Sequence, residues 1–211
     1  MTAQATAGAL LDAAEAEFAE HGIHGASLRS IMRSAGANTA AVHYHYGSRE
    51  ELAAAVLDRV LEPLQRRRLE LLDAAVASSP TARPELQSLL DALVRPDFEA
   101  RLAAGERDPR SARIVGAIYS RPPDFVRSRV EASFAPVARQ FVPHLMTVLP
   151  VLSPQELSWR VRWNVFGMLG ALLASDNVQV TNAETAEAEI ARTVAAAAGA
   201  LLAPPTEETS Q

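Results

Sequence analysis

The residue types with the clearest binding chemistry are concentrated between His21 and Arg49 of this 211-residue chain. The window contains three arginines and four of the five histidines, and it contains neither Asp nor Glu. Elsewhere acidic residues are common, and the formal net charge of the chain is −5. Arginine and histidine side chains donate hydrogen bonds to phosphates and to the polar edges of bases. Because three arginines supply little charge, we also expect backbone N–H groups at helix N-termini to contact phosphates.

Two short helices separated by a glycine turn would position these groups. Apolar residues at helical spacing predict a helix over 27–35, with Ser27 as its N-cap and Gly36 at its end. Asn38 or the residue after it is suited to cap a second helix, TAAVHYHY, which ends at Gly47. Two helices joined by such a turn are the layout of a helix-turn-helix. The second helix exposes short or hydrogen-bonding side chains, namely Thr39, Ala40, His43, Tyr44 and His45.

The composition of the chain favours an all-α fold. All 20 basic residues are arginine and 41 residues are alanine, and both residue types form helices readily. A first helix is predicted over 8–20 and ends at Gly22, while Ser48-Arg49-Glu50-Glu51 is a capping box that opens a long helix over 49–77. Pro63 lies inside this helix, which predicts a kink in the turn before it. Further helices are predicted at about 83–103, 109–120, 122–149, 154–175 and 182–202.

These elements predict three parts of the chain. Residues 1–50 form a helix-turn-helix domain of three helices, residues 51–203 form a helical bundle, and residues 204–211 form a flexible tail. The run Arg66-Arg67-Arg68 near the start of the bundle is interpreted as a solvated helix face, because acidic residues lie within reach of it at helical spacing. A second nucleic-acid patch is the alternative for this run.

Several classes of protein are disfavoured by what the sequence lacks. The absence of cysteine excludes disulfides, thiol catalysis and cysteine-ligated metal sites. His43 and His45 lie two residues apart on a predicted helix, so their side chains diverge and cannot readily share a metal ion. We therefore expect no metal and no other cofactor. Because no apolar run reaches the roughly 18 residues of a membrane span and the N-terminus does not resemble a secretory signal, a cytoplasmic protein is expected.

The predicted bundle carries two sets of candidate residues. If its middle helices enclose a cavity, His144 would meet the polar end of a ligand, with core packing as the alternative. The candidates for the apolar walls are Phe98, Tyr119, Phe134, Phe141 and Met146. Aromatic and small residues on the last two helices favour a two-fold dimer interface, with packing inside one chain as the alternative. The candidates for this interface are Trp159, Trp163, Gly167, Gly170, Ala171, Ala174, Ala195 and Gly199.

The N-terminal stretch AAEAEFAEHGIHGASLRSIMRSAGANTAAVHYHYGSREELAAAVL resembles the N-terminal domain of TetR-family transcriptional regulators over about residues 8–58. The shared features include the phenylalanine before a glycine-ended helix, the Ala-Gly turn and the aromatic-His-aromatic end of the third helix. The chain has His43 and Tyr46 where the family usually has tyrosine and phenylalanine, and Arg49 where it usually has lysine. The segments NTAAVHYHYGSREEL and WRVRWNVFGMLGALLA also resemble a branch that contains fatty-acid-responsive repressors.

The resemblance implies a homodimeric, ligand-responsive repressor that binds a palindromic double-stranded DNA operator. The hydrophobic, aromatic-bearing C-terminal part of the chain predicts that a small apolar effector releases it. Phosphates would be contacted by Tyr44, His45 and Arg49. Arg29 would approach the DNA backbone from the first short helix. The residues nearest the bases would be Asn38, Thr39 and Ala40. The complete predicted DNA-binding set is Ser27, Arg29, Asn38, Thr39, Ala40, His43, Tyr44, His45 and Arg49.

Two other functions are consistent with a helical protein of this composition. The first is a helical ligand-binding dimer that has lost DNA binding, which the modest positive charge of the window and the departure at His43 leave open. The second is a helical enzyme acting on a small molecule. The sequence shows no nucleophile–base pair, phosphate-binding loop or metal-ligand spacing that would favour such an enzyme.

Overall fold

A computed structural model describes residues 3–80, 83–104, 114, 124–173 and 180–204, with backbone alone for 104, 166 and 168–173. All regular elements in these ranges are α-helices, which confirms the predicted fold class. The predicted helix at 109–120 lies outside them except for Ile114. The eight helices of the described residues are α1 (Ala3–Gly25), α2 (Leu28–Ala35), α3 (Thr39–Tyr46), α4 (Arg49–Ser78), α5 (Leu86–Ala104), α6 (Asp124–Val148), α7 (Pro154–Leu173) and α8 (Ala183–Leu202).

The chain divides into two compact units. The N-terminal unit comprises Met1–Pro63 and Ala104–Phe134, and the C-terminal unit comprises Leu64–Ala103 and Ala135–Gln211. These units do not follow the predicted division at residue 50, because the first half of α4 and the start of α6 pack with the N-terminal helices. The functional division into 1–50, 51–203 and 204–211 remains a prediction. No helix in the described part of the chain is long and apolar enough to span a membrane.

Glycines in the left-handed region separate the helices of the N-terminal unit. Gly22 interrupts α1 with φ 71° and ψ 170°, and a last turn follows it to Gly25. Gly36 ends α2 with φ 61° and ψ 32°, and its N–H donates to carbonyl oxygens of the last turn of that helix. Glycine adopts these angles without the steric cost that a Cβ atom imposes. The predicted ends of α2 at Gly36 and of α3 at Gly47 are confirmed, whereas α1 begins earlier than predicted and continues past Gly22 to Gly25.

The core of the N-terminal unit is formed by the apolar faces of α1 to α4. Leu10, Phe18, Ile31, Val42 and Leu52 are each 0–1% exposed and represent all four helices. Burial of side chains of this size stabilises a fold by about 1.5–3 kcal/mol each. Since α1 contacts both α2 and α3, this core fixes the angle at which α3 meets solvent.

Two predicted capping boxes are realised in part. Ser48 Oγ accepts from the Glu51 N–H at 3.0 Å, and Ser153 Oγ accepts from the Glu156 N–H at 3.1 Å. The Glu156 carboxylate instead accepts from Arg160 Nε at 2.8 Å within the next turn. The helix opened by Ser48 runs without interruption to Ser78 and includes Pro63. The predicted kink at this proline remains a prediction.

The C-terminal unit contains a buried arginine that the sequence analysis placed on a solvated face. Arg68 is 3% exposed, and its Nη2 forms an ion pair with Asp97 on α5. Its Nε donates to the Leu93 carbonyl oxygen at 2.9 Å, and its Nη1 donates to Gln65 Oε1 at 3.0 Å. The solvated interpretation of the arginine run was therefore wrong for Arg68. Local acidic spacing cannot reveal a partner 29 residues away.

Candidate nucleic-acid interface

The exposed side of α3 carries four of the nine predicted DNA-binding residues. Val42 is buried and Tyr46 is half-buried, and the Tyr46 hydroxyl donates to the Ala7 carbonyl oxygen at 2.8 Å. Burial raises the pKa of this hydroxyl, which therefore stays protonated and able to donate. With these two residues holding one side of the helix, the opposite side faces solvent. The exposed residues, called the α3 stripe below, are Thr39, Ala40, His43 and Tyr44.

Within the α3 stripe, Tyr44 projects furthest into solvent, with 79% of its surface exposed. Its ring meets the half-buried His45 ring edge-on at a centroid distance of 4.9 Å. His43 Nδ1 lies 2.6 Å from the Gly47 carbonyl oxygen, so the imidazole is held by the turn that follows α3. Thr39 Oγ1 lies 3.6 Å from Met32 Sδ of α2. The stripe therefore combines one highly exposed aromatic side chain with two polar side chains that have fixed local partners.

The N-termini of α2, α3 and α4 are already capped by side chains. Ser27 Oγ accepts from the Ser30 N–H at 3.3 Å, and Asn38 Oδ1 accepts from the Ala41 N–H at 2.9 Å. The start of α4 is capped by Ser48 in the same way. The amides bound by these caps are not free to contact phosphates in this conformation. The expected contribution of helix N-termini is therefore smaller than the sequence indicated.

An acidic side chain on α1 also binds the N-cap residue of α2. Glu17 Oε1 on α1 accepts from the Ser27 N–H at 3.0 Å and lies 3.5 Å from His21 Nδ1. The Ser27 N–H lowers the pKa of the Glu17 carboxyl, because this hydrogen bond favours its ionised form. Glu17 thus couples α1 to the N-cap of α2. Its distance of ten residues from Ser27 matches no local capping pattern, so sequence spacing gave no signal.

The three arginines of the acid-free window lie in different environments. Arg29 and Arg33 are exposed on α2, and Arg33 Nη2 lies 3.5 Å from Ser30 Oγ. Arg49 is half-buried, and its Nη2 donates to the carbonyl oxygens of Ile23 and Ala26 at 2.6 and 3.1 Å. Its guanidinium also lies 6.0 Å from the centre of the Phe18 ring. Arg49 therefore joins the start of α4 to the end of α1, and its contact with phosphate remains a prediction.

Two sets of ion pairs attach α4 to its neighbours in the N-terminal unit. Arg59 on α4 forms ion pairs with Asp12 and Glu15 on α1. The adjacent Asp58 forms an ion pair with Arg129 on α6. Local charge spacing does not predict these pairs, because each joins residues more than 40 positions apart. They fix the helix-turn-helix to the first half of α4.

The described members of the predicted ligand-binding set lie in different environments. Phe98 and Phe141 are 1% and 2% exposed and belong to the core of the C-terminal unit, while Phe134 and Met146 are half-buried. His144 lines an open groove of about 400 Å³ together with Asp73, Arg139 and Gln140. The sixth predicted residue, Tyr119, lies outside the described residues. The assignment of an effector site therefore remains a prediction.

The predicted dimer residues are exposed wherever the structure describes their side chains. Trp159 and Trp163 are 50% and 61% exposed, and their ring centroids lie 5.9 Å apart. Gly167 on the same helix is also exposed, as are Ala195 and Gly199 on α8. These five residues are called the α7–α8 stripe below. The side chains of the other predicted interface residues, Gly170, Ala171 and Ala174, lie outside the described part of the chain.

Arg160 holds α7 against the end of α8. It is 5% exposed, and its Nη1 donates to the carbonyl oxygens of Ala200, Leu201 and Ala203 at 2.6–3.2 Å. Its Nη2 donates to the carbonyl oxygen of Pro204 at 2.9 Å. A cation at a helix C-terminus satisfies carbonyl groups that the helix leaves unpaired. The described residues contain no group of three or more side chains of the types that bind metal ions.

The fold and the α3 stripe define a helix-turn-helix protein with a second helical unit. Residues 10–56 match the family described as bacterial regulatory proteins, tetR family. Residues 91–203 match the domain described as tetracyclin repressor-like, C-terminal domain. The chain therefore belongs to the TetR family of bacterial regulatory proteins. This membership places it among transcriptional regulators and not among enzymes.

A curated relative and two solved structures illustrate the similarity. The HTH-type transcriptional repressor SCO4008 of Streptomyces coelicolor is 34% identical over 97 residues, which span 46% of this chain and 44% of the relative. The fatty acid degradation regulator FadR of Bacillus halodurans has a TM-score of 0.65 at 14% identity, covering 92% of this chain and 95% of FadR. The regulator CifR, solved with 26-base-pair double-strand operator DNA, has a TM-score of 0.60 at 22% identity, covering 93% and 95%. These two structures share the fold with this chain.

Proposed function

We propose that the chain is a homodimeric transcriptional repressor that places α3 in the major groove of a palindromic operator. The observation that carries this proposal is the α3 stripe, which is polar, exposed and free of acidic residues. Thr39 and Ala40 at the start of α3 would lie nearest the bases, as in other helix-turn-helix proteins. Tyr44, His45 and Arg29 would contact phosphates on either side. CifR, which has a similar fold, forms a complex with double-strand operator DNA, and this supports DNA as the partner.

The α7–α8 stripe would form the dimer interface. An exposed pair of tryptophans on one helix is typical of a surface that a partner covers. Gly167 and Gly199 supply a second argument, because a Cβ atom added at either one would meet no described atom within 4 Å. Glycine inside a helix costs about 1 kcal/mol relative to alanine, and packing against the described residues does not require it. Close approach of a second copy explains both glycines, and two-fold symmetry would bring each stripe onto itself.

An effector would release the repressor by binding the C-terminal unit. We infer a small apolar effector because the predicted wall residues are aromatic or aliphatic. A fatty acid or acyl derivative is the class implied by the resemblance to the branch that contains fatty-acid-responsive repressors. Release requires the effector to bind more tightly to the conformation with lower operator affinity. A coupling of about 1–3 kcal/mol would lower operator affinity roughly 5- to 150-fold.

Selection of DNA sequences from a library of random duplexes tests this proposal and identifies the operator in the same experiment. The purified full-length chain is expected to enrich a palindrome whose half-sites lie about one helical turn apart. Arg29→Ala should weaken binding to the enriched sequence and reduce the slope of affinity against salt concentration by about two, one for each chain of the dimer. The matched control is Arg127→Ala, which removes another exposed arginine outside the acid-free window. Failure to enrich any sequence by a folded dimer would instead favour a ligand-binding dimer that has lost DNA binding.

A further inference from the structure

His43 lies in the middle of the α3 stripe, and one of its ring nitrogens is bound within the chain. Nδ1 is 2.6 Å from the Gly47 carbonyl oxygen. Because a carbonyl oxygen can only accept a hydrogen bond, Nδ1 is the nitrogen that carries the proton. In a neutral imidazole the second nitrogen, Nε2, then has a lone pair and no proton. The turn after α3 therefore holds His43 in one tautomer.

The conformation of Gly47 explains why its carbonyl group reaches the imidazole. Gly47 has φ 79° and ψ −55°, and the Ser48 N–H donates to the Tyr46 carbonyl oxygen at 2.9 Å. These angles and this bond describe a γ-turn, which folds the chain back toward the last turn of α3. The Gly47 N–H also donates to the His43 carbonyl oxygen at 3.0 Å. A side chain at Gly47 would have open space, so the positive φ alone favours glycine there.

We propose that His43 Nε2 accepts a hydrogen bond from the amino group of one base in each half-site, which makes His43 a specificity-determining residue. The proposal rests on the proposed function, because it requires α3 to lie in the major groove. His43 follows Thr39 by four residues and Ala40 by three, so all three side chains share one face of α3. A residue at this place on the stripe is directed toward the same groove as the two residues nearest the bases.

The chemistry of the major groove defines which bases this acceptor selects. Adenine presents its N6 amino group and cytosine its N4 amino group, whereas thymine and guanine present the keto oxygens O4 and O6. An unprotonated Nε2 binds an amino group and is repelled by a keto oxygen. We therefore expect adenine or cytosine in preference to guanine or thymine at one position on one strand of each half-site.

The fixed tautomer also argues against a phosphate contact for His43. Phosphate oxygens require a donor, and the only proton of the neutral ring is directed to the Gly47 carbonyl oxygen. Tyr44 differs in this respect, because its exposed hydroxyl can donate to a phosphate. The two residues therefore have different expected partners although they are adjacent on α3.

Two substitutions at His43 distinguish the role of Nδ1 from that of Nε2. His43→Asn can place its amide nitrogen near the position of Nδ1, but its side chain is too short to place an acceptor at the position of Nε2. His43→Gln extends to the position of Nε2 and can present its amide oxygen to an amino group. Random duplexes would be selected with the full-length wild type and both variants at about pH 8, where histidine side chains are neutral.

The wild type and His43→Gln are expected to enrich adenine or cytosine at the same position of each half-site. His43→Asn should lose that preference by roughly 3- to 10-fold while keeping the rest of the motif. An unchanged motif for His43→Asn would overturn the proposal, as would an equal loss of affinity for all sequences, which indicates a phosphate contact. If the folded wild type enriches no sequence, the proposed function fails and the role of His43 fails with it.

Discussion

The chain exposes two surfaces that differ in chemistry, the α3 stripe and the α7–α8 stripe. The first presents hydroxyl and imidazole groups beside exposed arginines of α2, and the second presents tryptophan, alanine and glycine. Polar groups near a helix end can form hydrogen bonds to the hydrated phosphates of DNA. Exposed tryptophans stabilise a complex only when a partner surface buries them away from water. The proposed function accordingly assigns the α3 stripe to DNA and the α7–α8 stripe to a second copy of the chain. Substitutions on one face should leave the other intact.

The largest expected effect follows from a charge placed in the α7–α8 stripe. Ala195→Arg would bring two unpaired guanidinium groups into the proposed dimer interface, one from each chain. Dimerisation should weaken by about 100-fold or more, on the order of 3 kcal/mol, because the charges must be desolvated. Sedimentation equilibrium would measure the change. The control is Ala138→Arg on the exposed side of α6, and an unchanged dimer for Ala195→Arg would exclude this surface as the interface.

The second prediction concerns the buried arginine that holds α7 against α8. Arg160→Met removes the donor to four backbone carbonyl groups and the partner of Glu156. The free energy of unfolding should fall by about 3 kcal/mol, because the carbonyl and carboxylate groups lose their bonds. Urea denaturation at one protein concentration would show this. Arg127→Met at an exposed position should change stability by less than about 0.5 kcal/mol, and equal effects of both substitutions would contradict the prediction.

The third prediction separates DNA binding from stability. Tyr44→Ala removes a ring that is 79% exposed and carries no core contact, so unfolding and dimerisation should remain as in the wild type. Affinity for the selected operator should fall by about tenfold, as expected for loss of the hydroxyl that donates to a phosphate. Fluorescence anisotropy with labelled DNA would measure it. An unchanged affinity for the operator would show that the part of α3 that carries Tyr44 does not face DNA.

The smallest effect concerns pH and the attachment of α2 to α1. The pKa of the Glu17 carboxyl is lower in the folded state than in the unfolded state, where it is about 4.3. The hydrogen bond from the Ser27 N–H therefore stabilises the fold fully at pH values above the unfolded-state pKa. This contribution is lost as the pH falls through the folded-state pKa. Glu17→Gln should therefore be less stable than the wild type at about pH 7, by under about 1 kcal/mol, with a smaller difference in acid. Thermal unfolding against pH would measure this. Glu20→Gln is the exposed control, and a difference independent of pH would contradict the assignment.

Sequence patterns predicted local features well and long-range contacts poorly. The ends of α2 and α3 followed from glycine and from single N-cap residues, because capping depends on neighbours within four positions. Arg49 and Arg68 have partners more than 20 residues away, so local charge patterns gave no information about their environments. The exposure of Trp159 and Trp163 also required the structure. Apolar residues at helical spacing look alike in a core and in an interface.

The most direct test of the account is the stoichiometry of the chain on its selected DNA. Sedimentation equilibrium of the complex, on one duplex with the full palindrome and on another with a single half-site, would count the chains bound. Two chains are expected on the palindrome, with much weaker binding to the half-site, because α3 of each chain would occupy one major groove. Equal affinity for both duplexes with one chain bound to each would contradict a dimer that contacts DNA through two α3 stripes.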